Sequence, residues 1–168
     1  MIAIAQCSQN IQYLQWIPSE SGPLITQFGS FPFEKTGGKT LSVNDIFHQI
    51  NDEVKEFPPR FQISLDNRQV YISQSYIMNR FDEVLEWQLQ QRVDPSFNET
   101  YDTYHYPNKK NNTALGIHIK QSLKTEIIDA VKSLDGEIRS INVGIFSAEM
   151  GARQWFHANQ FKSYFIWK

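Results

Sequence analysis

Apolar and polar residues alternate in short runs over the first thirty residues. Two pairs of apolar positions have a two-residue period on either side of a polar stretch at residues 7–10: Ile2 with Ile4, and Ile11 with Tyr13. This period is typical of half-buried strands and predicts a hairpin. A third strand is predicted at residues 24–28, between Gly22-Pro23 and Gly29. Three antiparallel strands therefore open the chain.

The next segment changes to the period of a helix. Ser42 followed by Asp45 three residues later is a capping-box pattern, and it precedes apolar residues at helical spacing: Val43, Ile46, Phe47, Ile50 and Val54. Pro58 and Pro59 are expected to end this helix. Alternation returns at residues 60–65, which predicts a strand, and Asp66-Asn67 predicts a turn.

A strand-helix-strand-strand pattern occupies the middle of the chain. Residues 70–76 predict a strand, and Asn79 is the expected cap of a helix that stops near Asp94-Pro95. The helix has an apolar stripe, with Trp87 outside it, that is expected to be buried: Phe81, Val84, Leu85 and Leu89. Residues 100–106 and 113–119 predict a hairpin across PNKKNN, with Tyr104 and Tyr106 on one pleat face and Tyr101 and His105 on the other.

The last third of the chain predicts a helix at residues 121–134, stopped by Gly136, and a strand at 138–141. The inward residues of this helix are expected to be Leu123, Ile127, Val131 and Leu134. Asn142 is the expected cap of a final helix at residues 143–156, and a further strand is expected at 163–167.

Short parallel connections through helices in this order of elements predict an α/β sheet with helices on its faces. Without residues 67–119, the order is that of the ribonuclease-H-like half of the actin-like ATPase fold. We therefore interpret residues 1–66 and 120–168 as a ribonuclease-H-like core subdomain. Residues 67–119 form an inserted strand-helix-strand-strand module in this interpretation.

Composition narrows the candidate functions. The chain of 168 residues has 16 Lys and Arg against 18 Asp and Glu, a net charge of -2, so nucleic acid is not an expected partner. A single cysteine, Cys7, excludes an internal disulfide and suits a reducing compartment such as the cytoplasm. Without an apolar run of about 18 residues, we expect no direct membrane insertion, and any membrane association to depend on a partner.

The first predicted hairpin lies where actin-like ATPases hold the nucleotide phosphates, but its residues do not suit that role. Ala5 and Cys7 occupy the positions of the acidic residue and the glycine, and only Ser8 retains a small hydroxyl. Glycine allows backbone N–H groups to approach a phosphate, and a carboxylate positions the metal. We therefore expect no cofactor. The four scattered histidines have no metal-binding spacing, so no metal is expected either.

Two segments resemble a known family: FDEVLEWQLQQRVD followed by YDTYHYP, and ALGIHIKQSLKTEIIDAVKSLDGEIRSINVGIFSAEMGAR. They are similar to the N-terminal half of the PilM-like, actin-like proteins of type IV pilus assembly, and to the cytoplasmic domains of the GspL proteins of type II secretion. The resemblance implies a cytoplasmic scaffold, peripheral to the inner membrane, that binds the N-terminal cytoplasmic peptide of a PilN-like membrane protein. An assembly ATPase is a second partner suggested by the resemblance.

An aromatic set in and near the module gives candidate residues for peptide binding. Such rings commonly pack a core, but they also line grooves that hold extended peptides. The expected groove lies between the module and the main sheet, and its candidate residues are Tyr71, Trp87, Gln88, Gln91, Tyr101 and Tyr104.

Three functions compete at this point. The first is a non-catalytic scaffold, and the second is half of an actin-like ATP-binding protein whose second half is missing from this chain. The third, a ribonuclease-H-like nuclease, needs carboxylates on the first strand, and residues 1–16 contain no Asp or Glu. The degenerate hairpin favours the scaffold, so we expect no enzymatic activity.

Overall fold

The computed structural model describes residues 1–7, 9–20, 22–33, 41–77, 82–93, 100–108 and 111–148. Within these ranges a 3₁₀ turn lies at Asn67–Gln69, residues 144–148 are helical, and the other elements are β1 (Ile2–Gln6), β2 (Asn10–Ser19), β3 (Gly22–Pro32), α1 (Val43–Val54), β4 (Arg60–Leu65), β5 (Val70–Tyr76), α2 (Asp82–Gln90), β6 (Tyr101–Asn108), β7 (Thr113–Lys120), α3 (Gln121–Lys132) and β8 (Glu137–Val143).

The larger sheet has the order β3-β2-β1-β4-β8. β1 pairs antiparallel with β2 and β2 with β3, whereas β4 is parallel to both β1 and β8. The apolar sides of α1 and α3 join this sheet in one core, whose fully buried side chains include Ile2, Ile46, Phe47, Ile50 and Phe61. The parallel part of the sheet depends on the helical crossovers, because parallel neighbours cannot be joined by a tight turn.

The helix α1 begins as the sequence predicts and ends earlier. Ser42 accepts a hydrogen bond from the Asp45 N–H, and the Asp45 carboxylate accepts one from the Ser42 N–H, so both halves of the capping box form. The predicted end at Pro58-Pro59 is wrong. Lys55 takes the left-handed conformation (φ 50°), and its N–H donates to the Asn51 carbonyl, which closes the helix at Val54.

The hairpin of β2 and β3 is longer than predicted. The strand expected at 24–28 covers Gly22–Pro32 instead, and β2 extends to Ser19. The pairing of β1 with β2 runs only as far as Ile2 and Gln15. The end of the hairpin that contains the turn between β2 and β3 therefore extends beyond β1. A bulge at Gln15/Trp16 separates this end from the rest.

The smaller sheet has the order β5-β7-β6, with α2 on one face. Leu85 and Leu89 are buried against Ala114, as predicted for the apolar stripe. The prediction that Val84 is buried is wrong, because 39% of its surface is exposed. Asn79 and Phe81 lie outside the described residues. The division of the chain into a core and an inserted module stays an interpretation.

The region after α3 departs from the sequence prediction at its cap. Asn142 belongs to β8, where its side chain donates to the Ser140 hydroxyl at 3.3 Å, so its predicted role as a helix cap is wrong. The side-chain oxygen of Asn67 instead accepts the Ile145 N–H at 3.0 Å, at the start of the helical residues 144–148. Most of the predicted final helix and the strand at 163–167 lie outside the described residues.

Candidate functional site

The two faces of the smaller sheet have different neighbours. Residues directly opposite one another in adjacent strands share a face. Tyr71, His118 and Thr103 are therefore on one face, and so is Gly116. A Cβ on Gly116 would lie 3.1 Å from the Leu89 side chain, so this is the face that α2 covers. In each of these strands, the side chains of the alternate residues point to the opposite face of the sheet.

That opposite face forms one wall of a cleft. The cavity has a volume of about 620 Å³. The other wall comes from the ends of β4 and β8, from α3 and from the helical residues after β8. The residues that line the cleft are Leu65, Tyr104, Tyr106, Leu115, Ile117, Ile119, Lys124, Ile127, Ile141, Asn142, Val143 and Phe146. We refer to this cavity as the cleft.

The interior of the cleft is apolar and its rim is aromatic. Leu65, Ile127 and Val143 are almost completely buried and belong to the main core. Tyr106 and Tyr104 are 63% and 42% exposed, and both lie on the same pleat face of β6, as predicted. A ligand in this cavity would contact aliphatic side chains inside and tyrosine rings at the entrance.

Among the described residues that line the cleft, Lys124 is the one with a charged side chain. Its ammonium group contacts the Asp102 carboxylate, donates to the Tyr104 hydroxyl at 2.9 Å and lies 5.5 Å from the centre of the Tyr104 ring. The hydrogen bond from Lys124 lowers the pKa of Asp102, and the same bond raises the pKa of Lys124. The cation is therefore neutralised by a neighbour, and the cleft has little net charge to offer a ligand.

Behind the cleft, His118 is fully buried between two hydroxyl groups. Its Nε2 lies 2.8 Å from the Ser73 hydroxyl, and its Nδ1 lies 3.0 Å from the Thr103 hydroxyl. Burial lowers the pKa of this imidazole. A serine next to a histidine resembles part of a hydrolase site, but this imidazole is fully buried beneath α2. The network is a structural one that joins the three strands.

Of the six residues predicted to line a groove, Tyr104 lines the cleft. Trp87 is 62% exposed on α2, and Gln91 follows the end of that helix at the surface. Tyr71 and Tyr101 lie on the face of the sheet that α2 covers. The sixth, Gln88, is nearly buried, and its amide donates to the Ser75 hydroxyl at 2.7 Å and to the Tyr76 carbonyl at 2.6 Å.

The other lining residues were not identified from the sequence. A signal for them was available on β6 and β7, because the pleat that places Tyr104 and Tyr106 together also places Leu115 and Ile117 beside them. The remaining wall comes from β4, α3 and β8, which are distant in sequence, and periodicity within one element does not report such contacts.

The first hairpin has a closed turn. The Cys7 N–H donates to the Asn10 carbonyl at 2.8 Å, so this amide is used inside the hairpin. Ala5 is in β1, paired with Gln12 and Ser64, and Ser8 lies outside the described residues. In the described part of the chain, no three His, Cys, Asp or Glu side chains are grouped closely enough to hold a metal ion.

These elements define an α/β protein with the ribonuclease-H-like subdomain of the actin-like fold. Among solved structures, the chain is similar to a PilM-PilN type IV pilus biogenesis complex, with a TM-score of 0.66 and 11% identity over 92% of this chain and 50% of that chain. It is also similar to the cytoplasmic domain of EpsL, an inner membrane component of the type II secretion system of Vibrio cholerae, with a TM-score of 0.61 and 14% identity over 84% of this chain and 56% of that chain.

The similarity confirms the predicted fold class and the predicted resemblance at the level of the fold. The chain spans about half the length of both neighbours. Comparison with protein-family models and with curated protein sequences returns no match. Across the described residues, we find no helix with the length and apolar character that a membrane span requires.

Proposed function

We propose that this chain is a non-catalytic scaffold in an inner-membrane assembly platform of the type IV pilus or type II secretion kind. In this proposal the cleft binds a short cytoplasmic peptide of a membrane-anchored, PilN-like partner. The chain is held at the cytoplasmic face of the inner membrane through that partner. The observation that carries the proposal is the apolar cleft with its tyrosine rim.

The dimensions and chemistry of the cleft suit a peptide. Ligand cavities typically have volumes of about 300 to 1,000 Å³, and the cleft, at about 620 Å³, lies within that range. Its buried aliphatic interior would take apolar peptide side chains, and partly exposed tyrosines are frequent anchors at interfaces. The neutralised Lys124 gives no strong preference for a charged ligand.

Two fold neighbours support the choice of machine. One is described as a PilM-PilN complex of type IV pilus biogenesis, and the other as part of an inner membrane component of type II secretion. The closed turn at Cys7 supports a role without nucleotide chemistry, because its N–H is already hydrogen-bonded within the hairpin. An assembly ATPase as a second partner stays a prediction.

Two aromatic residues of equal exposure test the site. Tyr106 at the cleft is 63% exposed, and Trp87 on α2 is 62% exposed. A fluorescent peptide from the N-terminal cytoplasmic tail of the PilN-like protein of the same organism is titrated with the full chain. We expect Tyr106→Ala to weaken binding about 10-fold or more, because truncating an interface anchor costs about 2 kcal/mol. Trp87→Ala is expected to bind like the unmodified chain.

The opposite effects of the two substitutions would place the peptide-binding site outside the cleft. If Trp87→Ala loses the peptide while Tyr106→Ala retains it, binding takes place at the α2 surface and not in the cleft. If the unmodified chain does not bind the peptide at protein concentrations up to about 200 μM, roughly 200 times a Kd of about 1 μM, the proposed function is wrong. Thermal unfolding of both variants checks that each substitution leaves the fold intact.

A further inference from the structure

The outer edge of β3 is the terminal edge of the larger sheet among the described residues. β3 pairs with β2 along one side over Gly22–Pro32, and in an edge strand about every second residue turns its backbone polar groups outward. Pro23 and Pro32 lack an N–H and therefore limit further pairing to the residues between them. β8, which lines the cleft, lies at the opposite end of this sheet.

The hairpin of β2 and β3 is nearly free of charge. Glu20 is the one acidic or basic residue from Asn10 to Pro32, although charged residues make up 20% of the chain. Edge strands in natural proteins use charged side chains, prolines or bulges to prevent pairing with another strand. β3 has the prolines at its two ends and a bulge in its hairpin, but no charge, so two copies of the stretch between the prolines would not repel each other electrostatically.

The same hairpin exposes large apolar side chains. Phe28 is 76% exposed, and the other exposed members are Ile17, Leu24 and Ile25. Ile17 and Leu24 lie opposite each other on one face of the hairpin, whereas Ile25 and Phe28 lie on the other, so apolar side chains are exposed on both faces beside the β3 edge, and exposed apolar surface of this kind favours association. Anionic lipid is a poor match, because the hairpin has no lysine or arginine and its turn carries Glu20. A second uncharged, apolar edge matches it in both respects.

We infer that the β3 edge is a self-association surface, at which two copies of this chain pair their β3 strands in antiparallel orientation. The eight-residue stretch between the prolines supplies the hydrogen bonds, and the exposed side chains of the hairpin pack beside them. This arrangement joins two larger sheets into one. It shares no residue with the cleft and does not depend on the proposed peptide function.

The size of the edge sets the expected strength of the dimer. The eight residues between Pro23 and Pro32, at about 3.4 Å each, give a pairing edge roughly 27 Å long. With a layer thickness of about 10 Å, the edge alone covers roughly 270 Å² per copy. Stable interfaces bury about 800 Å² per partner, so the flanking apolar residues must contribute, and the dimer is expected to be weak and reversible.

Sedimentation equilibrium of the full chain from about 1 to 200 μM tests the inference. We expect a concentration-dependent dimer. Phe28→Lys should raise its Kd at least 10-fold, because it places one ammonium group from each copy at the edge. Tyr76→Lys is the matched control, since Tyr76 is also 76% exposed and lies on β5 of the other sheet. This control should change the Kd less than 2-fold.

Hydrogen exchange gives a readout that does not depend on the stability of the Phe28 variant. Amides of residues 24–31 should exchange more slowly at 200 μM than at 1 μM. The inference is overturned if the unmodified chain is a monomer at 200 μM, if these amides show no concentration dependence, or if Tyr76→Lys weakens the dimer as much as Phe28→Lys does. A monomer that sediments with phosphatidylglycerol vesicles through Phe28 would also overturn it and assign the hairpin to a lipid surface.

Discussion

His118 is the buried residue whose charge state most directly links solution pH to the stability of the smaller sheet. It lies between the Ser73 and Thr103 hydroxyls, and the centre of its ring is 5.4 Å from the centre of the Tyr71 ring. None of these neighbours is acidic. Because burial lowers its pKa, the folded protein binds a proton less readily than the unfolded chain. The neutral imidazole is therefore the form that the fold stabilises.

The sign of the pH effect follows from this shift. Above the pKa of an unfolded histidine, about 6.5, His118 is neutral in both the folded and the unfolded state, and the free energy of unfolding has its full value. As the pH falls through that value, only the unfolded state gains the proton, and the free energy of unfolding decreases until the lower folded pKa is reached. Urea unfolding at pH 7.5 and 5.5 should show this loss, and His118→Gln should reduce it.

The unmodified chain is the reference for that measurement. Equal pH dependence in the His118 variant and the unmodified chain would contradict the assigned role of burial.

At the scale of the element, substitutions at two neighbouring positions of α2 test which face of this helix packs on the smaller sheet. Leu85 is 3% exposed and its neighbour in sequence, Val84, is 39% exposed. Leu85→Ala should lower the free energy of unfolding by about 2 to 5 kcal/mol, because it leaves a cavity against Ala114 and Leu89. Val84→Ala should change it by less than about 0.5 kcal/mol. Chemical denaturation of both variants measures the difference, and equal losses would contradict the assigned face.

Sequence periodicity predicted elements well where local chemistry decides them. The start of α1 depends on Ser42 and Asp45, which are in contact along the chain, and it was predicted correctly. Its end depends on Lys55 in the left-handed conformation, which a lysine does not indicate. The length of β3 depends on its pairing with β2, and the apolar face of α2 depends on the sheet beneath it. These features are tertiary, and periodicity reports them only in part.

The same distinction explains the candidate site. The pleat of β6 correctly placed Tyr104 and Tyr106 on one face. Which face meets the main sheet depends on where α2 packs; of the six predicted residues, Tyr104 lines the cleft, and partner binding by the other five stays a prediction. The amide hydrogen bonds of Gln88 are directed at β5 within the chain.

At the scale of the whole molecule, we expect this chain not to bind Mg·ATP. Residues 1–16 hold no carboxylate to position the metal, and the Cys7 amide is hydrogen-bonded to Asn10. Isothermal titration of the full chain should give no Kd below about 100 μM, which is about 5 kcal/mol of binding free energy. Tighter binding would favour the alternative, half of an actin-like ATP-binding protein. Titration with magnesium alone is the control.

The connections between the two sheets are very short. Four residues, including the 3₁₀ turn, join β4 to β5, and α3 begins at the residue after β7. The hydrogen bond from the Ile145 N–H to Asn67 ties the first connection to the far wall of the cleft. These short connections and this hydrogen bond restrict separation of the two walls. Under the proposed function, a peptide would bind a cleft whose width these connections limit, so its shape, more than closure of the two walls, would select the sequence that binds.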